Sequence, residues 1–177
     1  MSENKKDSSL NDPFERLAIP PDAHEMMLTD INKKGLKELG DQEGIVNLSP
    51  AVFPKMAFPV DGVIYGENNR LMICLPCRRV KRSADTINVW FIVNTGSNCT
   101  FLAKETIEAL IRKDDPFPDT LHVAVQDPDS EIECHVSPSA PKGHFEDANV
   151  LGIMALRKLK VSIDVDWEKD RFKLIKK

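Results

Sequence analysis

No stretch of this chain stays apolar for long. The longest runs, such as Val89 to Val93, fall far short of the roughly 20 residues that a membrane span needs, so no membrane partner is expected. The first residues, Met1 to Asp7, lack the apolar centre of a secretory signal. Neither sign of charge dominates: Lys and Arg total 24 against 28 Asp and Glu, a net charge of −4 with a pI of about 5.6. A protein that grips nucleic acid by bulk electrostatics usually shows a basic domain, so that class is set aside. Cysteine is sparse, at Cys74, Cys77, Cys99 and Cys134. Without secretory features these four do not make a disulfide framework, and the compartment reads as reducing, cytoplasmic or nuclear. What is present is a globular mixture of 177 residues, 41% hydrophobic and 29% charged, enough for one domain with appendages.

The first 50 residues differ in composition from the rest. Met1 to Asn11 is polar and reads as a disordered tail. Pro20-Pro21-Asp22 opens a candidate helix with Met27, Leu28 and Ile31 on one face, which Gly35 and Gly40 then interrupt. Asp41 to Pro50 reads as a linker. The chain therefore divides into an extension over residues 1–50, partly disordered and partly helical, and a domain over residues 51–177.

From Val52 onward the pattern is mostly β. Val52 to Val60 carries Pro54 and Pro59 and suits an edge strand. Leu71 to Leu75 is a short apolar run leading into a basic loop of Arg78, Arg79, Lys81 and Arg82, read as a solvated hairpin loop. Asn88 to Val93 is nearly unbroken in hydrophobicity, so both faces of that strand should be covered. Ala103 to Arg112 reads as a helix capped by Thr100, with Ile107, Leu110 and Ile111 on one face. Leu121 to Val125 and Ile132 to Val136 alternate around a turn at Gln126 to Ser130, a hairpin. Ala148 to Leu151 is a short strand, Ile153 to Leu159 a short helix. A second hairpin closes the chain, with its turn at Glu168 to Asp170.

The informative stretch is Trp90 to Leu102, where a buried strand runs into Asn94-Thr95-Gly96-Ser97 and then a helix. It resembles the active-site strand of retroviral-type aspartic proteases (retropepsins), in which apolar residues precede Asp-Thr/Ser-Gly-Ala/Ser. Asn149-Val150-Leu151-Gly152 and the helix after it resemble that family's second motif, 58 residues beyond Asn94. The resemblance covers about residues 52–177. It implies a retropepsin-like β-barrel half-domain with one or two short helices. The implied catalytic positions are Asn94, Thr95 and Gly96. The implied substrate contacts are Ser97, the flap-tip residues Gln126, Asp127, Pro128 and Asp129, and Leu151 with Gly152. Only one Asp-Thr/Ser-Gly-like motif occurs in the chain, so the implied assembly is a homodimer with its site on the two-fold axis. A peptide or protein ligand is expected, and no cofactor or metal.

Two features depart from the family pattern. Asn94 stands where the family has its catalytic Asp. The chemistry needs two carboxylates sharing a proton, one of them a base toward water, and an amide cannot take that proton. Either the chain is a pseudoprotease that binds peptide or protein or serves as a dimerisation module, or it is an Asp→Asn variant of an active endopeptidase. A third class, a scaffold belonging to a nucleic-acid-associated element, would show binding that falls steeply with salt. The flap also departs: the hairpin tip holds Pro128 and no glycine, and Gly143 lies too near the second motif to replace it.

The remaining candidates read as structural. Cys74-Leu75-Pro76-Cys77 has the spacing of a zinc knuckle, but Cys134 and His135 are adjacent on a strand and point to opposite faces, so reduced thiols are expected. His24, His122, His135 and His144 have no nucleophile partner. Trp167 and Phe172 suit core or dimer packing. The apolar residues of the extension (Phe14, Leu17, Ile19, Met27, Leu28, Ile31) read as a cap on one sheet, docking over the cleft or dimer edge being the sharper alternative.

Overall fold

The computed structural model describes residues 19–81, 83–139 and 143–177. The tail expected over residues 1–11, Phe14 and Leu17 of the extension, and Arg82 of the basic loop lie outside the described residues.

Nine strands and three short helices make up the described chain, the mostly β class expected. The strands are β1 (Val60–Tyr65), β2 (Arg70–Arg79), β3 (Ile87–Asn94), β4 (Thr100–Leu102), β5 (Thr120–Val125), β6 (Ile132–Val136), β7 (Val150–Gly152), β8 (Val161–Asp166) and β9 (Arg171–Lys176). The helices are α1 (Lys33–Glu43), α2 (Lys104–Leu110) and α3 (Ile153–Leu159). Strands β3, β7, β4, β6, β5 and β2 follow one another in hydrogen-bonded order, and β2 pairs again with β3, which closes a six-stranded barrel. β1, β9 and β8 extend the sheet from β2. Closure hides the strand edges within the barrel, which leaves β8 as the outer strand of the extension.

Several elements depart from what the sequence implied, each for a local reason. The expected edge strand starts only at Val60, because Pro54 and Pro59 withhold the N–H groups a ladder needs. Arg78 and Arg79 belong to β2 rather than to a loop; they pair with Ala124 and Val123 of β5. Arg79 also forms a 2.7 Å ion pair with Asp115. Thr100 does not cap α2, whose N-terminal Ala103 makes no side-chain cap; its hydroxyl instead accepts from the Gly152 N–H at 3.1 Å.

The extension differs most. Pro21–Ala23 is a single 3-10 turn, and the backbone from Met26 to Ile31 is irregular. The helix comes later, as α1, and runs through both Gly35 and Gly40. The Asn32 side chain starts it by accepting from the Gly35 N–H at 3.0 Å. A Cβ on Gly40 would lie 2.8 Å from the Ile45 carbonyl oxygen, where the chain doubles back over the helix. That close approach outweighs the roughly 1 kcal/mol propensity cost of a helical glycine.

The expected linker is part of α1 and then a docked segment. Leu48 N–H donates to Asn88 O at 2.7 Å, and Asn47 Oδ1 accepts from Trp90 N–H at 2.9 Å. The Trp90 indole N–H donates to Ile45 O at 2.8 Å.

Two apolar clusters hold the molecule, and β3 separates them. Ile87, Val89, Phe91 and Val93 enter the first, with Ile73, Leu75, Val123 and Leu151. Trp90 and Ile92 enter the second, with Leu28, Ile31, Leu36, Leu39, Met72, Phe101, Phe145 and Val150. The unbroken hydrophobicity of β3 thus has its cause: both faces are covered. On the second face the cover comes from residues 28–39 and 145–150.

Candidate functional site

Strand β3 ends at Asn94 and lies parallel to β7, with Ile92 opposite Val150, Val93 opposite Leu151 and Asn94 opposite Gly152. Two segments 58 residues apart in sequence therefore meet side by side. Gly152 makes the meeting feasible: a Cβ there would fall 2.1 Å from the Cys99 carbonyl oxygen and 2.9 Å from that of Ser97. Only a residue without a side chain lets the 97–99 loop cross β7 so closely.

The loop and the start of α3 are tied together. Ile153 N–H donates to Ser97 O at 2.7 Å, and Met154 N–H to Asn98 O at 3.3 Å. Ser97 is buried and its hydroxyl donates to Cys99 O at 2.8 Å. Leu151 is wholly buried in the first cluster. Asn149 carries the join further: its amide oxygen accepts from Ala103 N–H at 2.9 Å, while its NH2 donates to Trp90 O at 3.1 Å.

Asn94 itself is half-buried, whereas Thr95 and Gly96 are exposed at the tip of the turn. The Asn94 amide oxygen accepts from Gly96 N–H at 2.9 Å, and Asn94 Nδ2 donates to the Met26 thioether at 3.2 Å. Both ends of the amide thus have partners. The second, a soft sulfur acceptor, comes from the extension. His24 stands beside it, only 6% exposed, with its Nδ1–H donating to Pro20 O at 2.9 Å and Nε2 2.7 Å from the Asn98 side-chain amide. Its ring tilts against Phe101 at a centroid distance of 5.2 Å. Ile153 and Met154, 40% and 47% exposed, add an apolar rim beside the 97–98 loop, to which their backbone N–H groups donate.

The expected flap residues are not at this site. Gln126 N–H donates to Pro76 O at 2.8 Å, its side-chain NH2 donates to Ala57 O, and Pro76 lies opposite Asn88 on β3. Six residues of strand separate Asn88 from Asn94, about 20 Å at roughly 3.3 Å per residue. Asp127 and Asp129 close the turn on themselves, Asp129 N–H donating to Asp127 Oδ1 at 3.0 Å. Pro128 lies near Arg78, Arg79 and Lys81. The hairpin exists, then, but it stands at the far end of the barrel from Asn94.

Met26, His24 and Asn98 belong to the site although no motif marked them. His24 looked like an isolated histidine, and Met26 sat in a segment whose helical spacing gave the wrong geometry. Burial is the largest influence on the thiols: it pushes Cys74 up to about 12 and, with smaller contributions from neighbouring ionisable groups, drives Cys77 and Cys134 up as well. Among the described residues no group of three or more His, Cys, Asp or Glu side chains is placed to hold a metal. A cavity of about 740 Å3 lies away from the turn, between α1, the 46–48 segment and the start of α2.

No family model matches this chain. No curated protein matches it in sequence. Among solved structures the chain is similar to a retropepsin-like aspartic protease from Rickettsia conorii, at 18% identity over 67% of this chain and 91% of that one, with a TM-score of 0.44.

Proposed function

We propose that this protein is a retropepsin-like aspartic protease homologue that has kept the scaffold and lost the base, and that acts as a homodimeric peptide- or protein-binding module. The observation that carries this reading is the pairing of Asn94 with Gly152 across β3 and β7, with Thr95 and Gly96 exposed beside it. An aspartic protease needs a carboxylate there to take a proton from water. Asn94 offers an amide whose oxygen is already an acceptor for Gly96 and whose NH2 is a donor to Met26. The donor role supports asparagine as a working residue, since a carboxylate could not make that bond.

Exposed Thr95 supports the dimeric part of the reading, as does the apolar rim of Ile153 and Met154. A side-chain hydroxyl at the tip of the turn can donate across a two-fold axis to its copy.

The test is cleavage of a peptide library by the purified chain and by Asn94→Asp, at mildly acidic and neutral pH, with sedimentation of both. The chain as written should cut nothing at either pH. Cleavage by the unaltered chain would end the proposal. Cleavage by Asn94→Asp alone would assign the silence to this one atom change. No cleavage by either, with dimers intact, would extend the divergence to the cleft.

A further inference from the structure

We infer that residues 20–31 form a strap that occupies the ligand side of the Asn94 turn, so that a peptide reaching Asn94 has to displace Met26. The inference rests on the reading of Asn94 as a binding position.

The strap has no backbone ladder of its own over most of its length. It is held by a few separate anchors. His24 is buried against Phe101 and Asn98. Leu28 N–H donates to His144 O at 3.1 Å, and Glu25 meets His144 Nδ1 at 2.9 Å. Asp30 takes two hydrogen bonds from the Arg70 guanidinium at 2.8 Å each, and a further Arg70 N–H donates to Met27 O at 2.9 Å.

The anchors differ in strength along the strap. At the Arg70 end they are charge-assisted and bidentate, the strong kind. At Asn94 the contact is an amide N–H on a thioether, a weak acceptor. Met26 lies between two firm anchors, His24 and the Leu28 to Ile31 end whose apolar side chains stay in the second cluster, so the strap can yield at Asn94 without unfolding the domain. It also leaves Thr95 and Gly96 uncovered, so the tip stays available to a second copy while the Asn94 amide is occupied.

The test compares the full chain with a double variant, His24→Ala with Asp30→Asn, which loosens both ends of the strap. The probe is an extended apolar hexapeptide with a central statine. Three quantities are read: amide exchange at Leu28 and Ile31, the Asn94 side-chain NH2 resonance, and the Kd for the probe. Loosening should speed exchange at least tenfold, move the Asn94 resonance, and tighten probe binding at least tenfold. Met26→Ala, which keeps the anchors, should move the same resonance with exchange unchanged. Faster exchange with an unmoved Asn94 resonance would overturn the strap, as would equal probe affinity in both proteins. If the probe binds neither protein, the peptide-binding role falls, and the Asn94 resonance then decides the strap by itself: moved, it stands; unmoved, it is overturned.

Discussion

At Gly152 and Asn94 the geometry of the turn reduces to single atoms. Gly152→Ala puts a methyl group 2.1 Å from a backbone carbonyl oxygen that no rotamer can move. The β7–α3 junction has to shift, and a destabilisation of roughly 2–4 kcal/mol is expected, read as a lower urea midpoint. A loss under about 0.5 kcal/mol, the range of ordinary surface substitutions, would mean the loop crossing is looser than described. Asp30 gives a pH signature. The Arg70 guanidinium holds its carboxyl below the ordinary 3.8. A depressed carboxyl contributes stability that is complete above its unfolded value, about 3.9, and disappears as pH falls through the lower folded value. Amide protection at Leu28 and Ile31 should therefore show an acid step, falling below about pH 4. Arg70→Met should remove that acid step. Its cost is about 1–2 kcal/mol, because the pair is only part-buried, with side chains 23% and 32% exposed.

At the scale of elements, α1 is part of the core. Leu39→Ala opens a cavity in the second cluster and should cost about 2–5 kcal/mol. Removing residues 1–50 should go further, uncovering Met72, Trp90 and Ile92 together and abolishing cooperative unfolding, seen as dye binding and a flattened calorimetric transition. An intact sharp transition in the truncated chain would make the extension dispensable. The strands were legible because their signals are local: β3 by its unbroken apolar run, β8 by alternation, the β5–β6 pair by its turn. The candidate turn could be picked out too, since Asn94-Thr95-Gly96 and Leu151-Gly152 are contiguous words, and the two segments do pair. The extension was not. Gly35 and Gly40 look like helix breakers until the packing of Ile45 over Gly40 is known, and that contact is tertiary. The flap position failed for a similar reason: a turn shows in sequence, but the end of the barrel where it stands depends on the β2–β5 register. His24 and Met26 join the site only through chain reversal, which leaves no periodic trace.

For the whole molecule, the proposal asks for a dimer whose formation is insensitive to salt. Sedimentation at high micromolar concentration should give twice the mass of 19.9 kDa, and should do so equally at 50 and 500 mM salt, because the rim formed by Ile153 and Met154 is apolar. Association that collapses with salt would point instead to charge-driven contacts, and binding of nucleic acid with a steep salt slope would favour the scaffold class.

The covering of β3 on both faces also has a consequence in time. Residues 28–39 leave the ribosome about 100 residues before the Phe145 to Val150 segment that shares their cluster. At typical synthesis rates of roughly 5–20 residues per second, that is about 5–20 s during which four aliphatic side chains have no complete place to go. The nascent chain therefore carries uncovered apolar surface for that interval. Slowing its synthesis should lower the soluble yield, most visibly in variants that already weaken the second cluster.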